Sequence, residues 1–326
     1  MMRALILGAS FAALAAGCQT GMAPADTSTS MTTASTAMAE APAAMPAKAA
    51  VAIESKFATS ADGTKIHYVA SGKGRLVVAL HGFPDFSGSW DKLAPVLNDA
   101  YRFVALDTRG YNLSGQPEGV ANYAMPKLVE DVQAVIKAEG YDKATVIGHD
   151  WGAAIAWNYA FSHPETLERL VIMSVPHPAN MGRQLKAAPD NSNYARNFQK
   201  EGSENNLTAE GLAGWVRDPA EKAKYVEAFK RSSFAGMMNY YRANYPTAPD
   251  PNAPAPSFPK INVPTLVIHG MKDTALLSMG HNDTWDQISK DTTLLMVPDA
   301  NHFVQHDAAK LVNGTIRSWL DLHPVM

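Results

Sequence analysis

The chain predicts an α/β fold: a mostly parallel sheet with helices on both faces and a helical insertion. Three observations predict it. Through residues 51–326, β-branched and apolar runs bounded by turn residues alternate with stretches of helical period. One run, Ala144-Thr145-Val146-Ile147, passes straight into Gly148-His149-Asp150-Trp151-Gly152 and on into Ala153-Ala154-Ile155-Ala156-Trp157, which reads as strand, sharp turn and helix. Between Met173 and Thr265 the alternation stops, and aromatics and helix formers replace strands.

At the N-terminus, Arg3 precedes the apolar run Ala4–Ala16. A bilayer-spanning helix needs roughly 20 residues, so this run fits an export signal instead. It ends in Leu14-Ala15-Ala16-Gly17-Cys18, which resembles a bacterial lipobox, although Ala15 stands where leucine is commoner. Cys18 is the only cysteine, so internal disulfides are excluded and lipidation of Cys18 is expected. Plain signal cleavage, leaving a soluble periplasmic protein, is the alternative. Gln19 after the cysteine implies outer-membrane sorting by likeness to enterobacterial lipoproteins. Residues 19–50 are mainly Ala, Pro, Ser, Thr and Met with almost no aromatics, the composition of a disordered tether. Its rms reach would be about 30 Å.

Strands are expected at residues 51–59, 65–70, 76–80, 103–106, 144–147, 170–173, 265–269 and 294–297. The clearest helix carries Met125, Leu128, Val129, Val132, Val135 and Ile136, with Pro126 in its first turn and Gly140 after its end. A formal charge of -3 without a basic block excludes nucleic acid as an expected partner.

A residue in a strained strand-to-helix turn needs small neighbours two before and two after it, and Gly148 and Gly152 supply them. The side chain so exposed is Asp150. A carboxylate, ionised at pH 7, needs no base to activate it and suits attack on a saturated carbon, leaving an ester that water must then hydrolyse. Alone, the stretch reads better as a strand ending in a solvated aspartate near a glycine turn. After the third strand, His81-Gly82-Phe83-Pro84 places the Phe83 N–H where, with the Trp151 N–H, it could form an oxyanion hole. Ester hydrolysis also needs a base. Among ten histidines, His302 sits on a loop after the last strand, with His306 its nearest rival. The His302/His306 spacing lacks the glutamate and cysteines of a metal site. Asp273, after the Thr265–His269 strand, is the candidate to orient the histidine.

Together these residues resemble the α/β-hydrolase superfamily and, within it, the epoxide hydrolase branch. The likeness runs from Val51 to the C-terminus and rests on HGFP at His81, Asp107-Thr108-Arg109-Gly110-Tyr111-Asn112-Leu113-Ser114, GHDWG at Gly148 and VPHP at Val175. It implies an eight-stranded sheet with a helical lid at about residues 177–258. It also implies two lid tyrosines that hold and protonate the epoxide oxygen. Asn239-Tyr240-Tyr241-Arg242 carries that role onto Tyr241, and Tyr194-Ala195-Arg196-Asn197-Phe198-Gln199 carries the partner role onto Tyr194. The lesser alternative is that both are ordinary amphipathic lid residues. The mechanism implied requires no cofactor and no metal, and its substrate is a small epoxide.

Haloalkane dehalogenases share the aspartate, the histidine and the following tryptophan. Many carry Asn where this chain has Phe83, and one large branch puts its acid after the sixth strand, where this chain has Ser174. Trp215 keeps a second halide donor open. Fluoroacetate dehalogenases carry Arg in the place of Trp151. A catalytically silent, lipid-anchored binding protein on the same scaffold is the reading from another class.

Overall fold

The computed structural model describes residues 51–245 and 257–325. The export signal, Cys18 and the tether lie outside the described residues, as do residues 246–256 of the expected lid.

Eight strands form one sheet: β1 (Ile53–Thr59), β2 (Lys65–Ser71), β3 (Arg75–Leu80), β4 (Tyr101–Leu106), β5 (Ala144–His149), β6 (Leu167–Met173), β7 (Thr265–Gly270) and β8 (Thr292–Val297). Their order is β1-β2-β4-β3-β5-β6-β7-β8. β1 and β2 pair antiparallel, as do β2 and β4, and every later pairing is parallel. A parallel sheet is stable only with both faces covered. The strand sequences meet that demand by alternation. Leu76, Val78 and Leu80 of β3 face one buried cluster, with the helices Met125–Ala138 and Trp151–Ser162, while Val77 and Ala79 face another, with Trp90, Ile316 and Trp319.

All eight expected strands are present, and β6 corrects an expected boundary. It starts at Leu167 rather than Leu170 and so takes in Arg169, a cation buried within the strand. Its guanidinium donates to Thr145 Oγ1 and to the carbonyls of Leu320 and His323, partners that keep it hydrogen-bonded inside the protein. The helix Met125–Ala138 has its Pro in the first turn, with Gly140 beyond its end at φ 79°.

Between β6 and β7 the described residues form helices and no strand, including Pro178–Ala187, Asn193–Gln199, Pro219–Lys230 and Phe234–Asn244. Buried Met237, Met238, Tyr240 and Tyr241 join the last of these to the cluster that also holds Trp151. Strand order reverses direction at β3, with β4 on one side and β5 on the other. In open α/β sheets the crevice at such a switch point, beyond the carboxyl ends of the strands, is where ligands bind.

Candidate active site

Asp150 stands at that crevice. Its backbone has φ 51° and ψ -123°, a strained conformation for a residue with a side chain. The strain is held by close packing that only glycine permits. A Cβ on Gly148 would lie 2.3 Å from the Gly152 carbonyl oxygen, and one on Gly152 would lie 2.1 Å from that of Leu80. Gly82 has a reason that sequence reading missed: its Cβ would fall 2.3 Å from the Asp150 Cβ. With that space open, the Phe83 N–H donates to Asp150 Oδ1 at 2.7 Å. Trp151 opens the helix Trp151–Ser162, so its amide is among the first-turn N–H groups that have no acceptor within a helix.

His302, on the loop after β8, brings Nε2 to 3.3 Å from Asp150 Oδ2. Its Nδ1–H donates to Asp273 Oδ2 at 2.7 Å. Asp273 is buried after β7, and its other oxygen accepts from the amides of Ala275 and Leu276 at 2.8 and 3.0 Å. Burial favours neutral His302, but the hydrogen bonds and charges of Asp150 and Asp273 outweigh it and push its pKa up to about 10. Burial would likewise raise Asp150, yet His302 and the Phe83 amide hold it below the usual carboxylate range. Burial works against Asp273 too, and it is lowered in the same way by His302 and by the two amides. The resting triad is therefore carboxylate, imidazolium, carboxylate. His306 is elsewhere, 3.3 Å from Asp85 Oδ2 and 3.1 Å from Ser89 Oγ, so the two histidines serve different carboxylates.

Across the crevice, Tyr194 and Tyr241 come from separate helices with ring centroids 6.2 Å apart, edge to face. Tyr241 also sets its ring at 87° to that of Trp151, with centroids 5.1 Å apart. Tyr240, its sequence neighbour, points the other way and donates to the Arg109 carbonyl. Gln199 fastens the two helices, donating to the carbonyls of Tyr241 and Tyr245 at 3.1 and 2.9 Å. Burial first, and then the Asp150 charge, raise both phenols well above their ordinary pKa, so both keep their protons.

Asp150, Trp151, Tyr194 and Tyr241 line a cavity of about 430 Å³. Its walls are mostly apolar, with Trp157, Met181, Leu185, Phe258 and Leu276 among them, and Asp150 is the one charged residue in the lining among the described residues. Trp215 is not part of that lining; it stacks on Phe303 at 4.0 Å. Of the other quoted motifs, VPHP lends Val175, Pro176 and Pro178 to the cavity lining. Arg109 is buried in a two-bond pair with Asp131 at 2.7 and 2.6 Å, and His177 caps the helix Pro178–Ala187 by accepting from the Ala179 N–H.

Residues 75–309 match the family described as alpha/beta hydrolase fold. Epoxide hydrolase 1 of Caenorhabditis elegans is 32% identical over 288 residues, covering 79% of this chain and 68% of that protein. The chain belongs to the epoxide hydrolase branch of the α/β-hydrolase superfamily. It is a hydrolase. An AB hydrolase superfamily protein, YfhM of Bacillus subtilis, is 34% identical over 79% of this chain and 95% of its own length. Among solved structures, an epoxide hydrolase from hot-environment metagenomes superposes with a TM-score of 0.75 at 30% identity, covering 82% of this chain and 98% of that one. A point mutant of a Bacillus megaterium epoxide hydrolase, complexed with its product, a naphthyloxy-propane-1,2-diol, gives 0.74 at 29% identity, with 82% and 100% covered.

Proposed function

We propose that this epoxide hydrolase converts neutral, apolar epoxides to vicinal diols through a covalent ester on Asp150. The observation that carries the proposal is the placing of one ionised carboxylate opposite two protonated phenols in a cavity whose described lining holds no other charge. A carboxylate oxygen attacks an epoxide carbon, the ring C–O bond breaks, and Tyr241 with Tyr194 donates a proton to the leaving oxygen. The aryl-ether diol in the Bacillus megaterium relative is consistent with an aromatic-walled cavity accepting a substrate of that kind.

The second step follows from the electrostatics. Ester formation removes the Asp150 charge, first among the groups that raise His302. His302 then gives up its proton, which restores the tyrosine, and as a neutral base it takes a proton from water. The hydroxide formed attacks the ester carbonyl carbon, and the oxyanion is held by the Phe83 and Trp151 amides. Collapse releases the diol and the Asp150 carboxylate, while His302 keeps the water's proton and the resting state returns.

Dehalogenation would use the same nucleophile, but the phenol of Tyr241 faces the Trp151 ring where a halide would need both an indole donor and space. Turnover of styrene oxide and of a bromoalkane, with Tyr241→Phe alongside, tests the reading. Diol formation that depends on Tyr241 supports it. Bromide release without diol, indifferent to Tyr241, overturns it. We further propose from the sequence alone that the enzyme is exported and anchored through Cys18. Metabolic labelling with a radioactive fatty acid, lost in Cys18→Ala, checks that point.

A further inference from the structure

Three strands converge on one oxygen atom. The carbonyl oxygen of His302 accepts from His149 Nε2–H at 2.9 Å and from Ser174 Oγ–H at 2.7 Å. His149 is the last residue of β5, directly before Asp150; Ser174 follows β6; His302 follows β8. Both donors are wholly buried, and neither takes part in the chemistry proposed above.

Two features show that these contacts are maintained against a cost. Ser174 has φ 66°, a conformation that glycine adopts freely and a residue with a Cβ does not. A glycine there would relieve the strain but could not supply the hydroxyl that reaches His302. His149 leaves its Nδ1 buried with no hydrogen-bond partner, so the ring's single proton sits on Nε2, the donor to His302. Burial, and then the charge of His302, hold the His149 pKa down to about 4, so it stays neutral beside an imidazolium whose ring centroid is 4.9 Å away.

The need for such a clamp arises midway through the reaction. At rest, the His302 imidazolium is drawn to carboxylates on both sides. Once Asp150 is esterified, one of those attractions is gone, just when the imidazole must hold a water against the ester. We infer that His149 and Ser174 are positioning residues that fix the His302 backbone for the ester-hydrolysis step. The inference rests on the reaction scheme of the preceding subsection.

The test separates the two half-reactions in the full chain. Styrene oxide is mixed rapidly with wild type, Ser174→Gly and His149→Phe, and the ester on Asp150 is followed by mass spectrometry of quenched samples. Ester formation should stay within about twofold of wild type while ester hydrolysis slows about tenfold or more, so that ester accumulates. Ser174→Gly suits the local φ, so its Tm should match or exceed that of wild type, which separates positioning from folding. Hydrolysis at the wild-type rate in Ser174→Gly, or equal slowing of both steps, overturns the clamp while leaving the scheme intact. A wild type that turns over without ester on Asp150 overturns the scheme and the clamp together.

Discussion

The two sides of the candidate active site are built differently. On the sheet side, Phe83, Asp150, Asp273 and His302 each stand a few residues beyond a strand and are joined by polar contacts of 2.7, 3.3 and 2.7 Å. On the helical side, Tyr194 and Tyr241 hang from separate helices, placed by ring packing and by the two Gln199 bonds. Directional contacts between charged groups weaken steeply with small displacements, so the proposed chemistry requires the sheet-side wall to be the rigid one. Ring packing tolerates small shifts, so in the reaction proposed the tyrosine side is the one that can adapt to the substrate.

The contrast can be tested in order of expected effect. Asp150→Asn should lower diol formation more than about a thousandfold, because no other carboxylate lines the cavity among the described residues. His302→Gln should cut turnover by about a thousandfold while ester builds up on Asp150, since the first step does not need the base. Tyr241→Phe should slow ring opening about a hundredfold without ester accumulation, and Tyr194→Phe should do the same to a smaller degree. If either tyrosine variant instead stalled at the ester, the division of labour between the walls would fail.

Stability should follow pH through the rigid wall. The His302 pKa is raised in the folded protein from 6.5 to about 10, so its contribution is complete below 6.5 and disappears as pH rises through about 10. The Tm advantage of wild type over His302→Gln should therefore shrink across that window. Asp150 and Asp273 are lowered, so their contribution is present at neutral pH and is lost as acid protonates them. The smallest effect is expected for Gln199→Leu. Loss of its two bonds should loosen the helices by about 1–2 kcal/mol and raise KM a few-fold with kcat nearly unchanged, with faster amide exchange at Tyr245.

Much of the rigid wall was legible in the sequence. Strands β3, β5, β7 and β8 read as apolar runs, and each delivers its functional residue within a short turn, so a local pattern sufficed. The misplaced start of β6 shows the limit: Arg169 looks like loop until its partners at Leu320 and His323 are known. His149 and Ser174 carried no signal of their own, because their shared acceptor lies 153 and 128 residues away in the chain. Tyr194 and Tyr241 were visible only through likeness to a family.

By itself, then, the sequence marked Asp150 as the candidate nucleophile and marked the turn that presents it. Collision between a Cβ and a neighbouring backbone is decided within a few residues, and Gly148 and Gly152 could hardly serve another end. Tertiary structure placed the rivals: His302 lies beside Asp150 and Asp273 while His306 lies beside Asp85, and Tyr241 lines the cavity while Tyr240 donates to the Arg109 carbonyl. Identical side chains have identical chemistry. Which one acts depends on the strand order β4-β3-β5-β6-β7-β8, which brings distant turns to one end of the sheet, and on the packing of helices far from them in sequence.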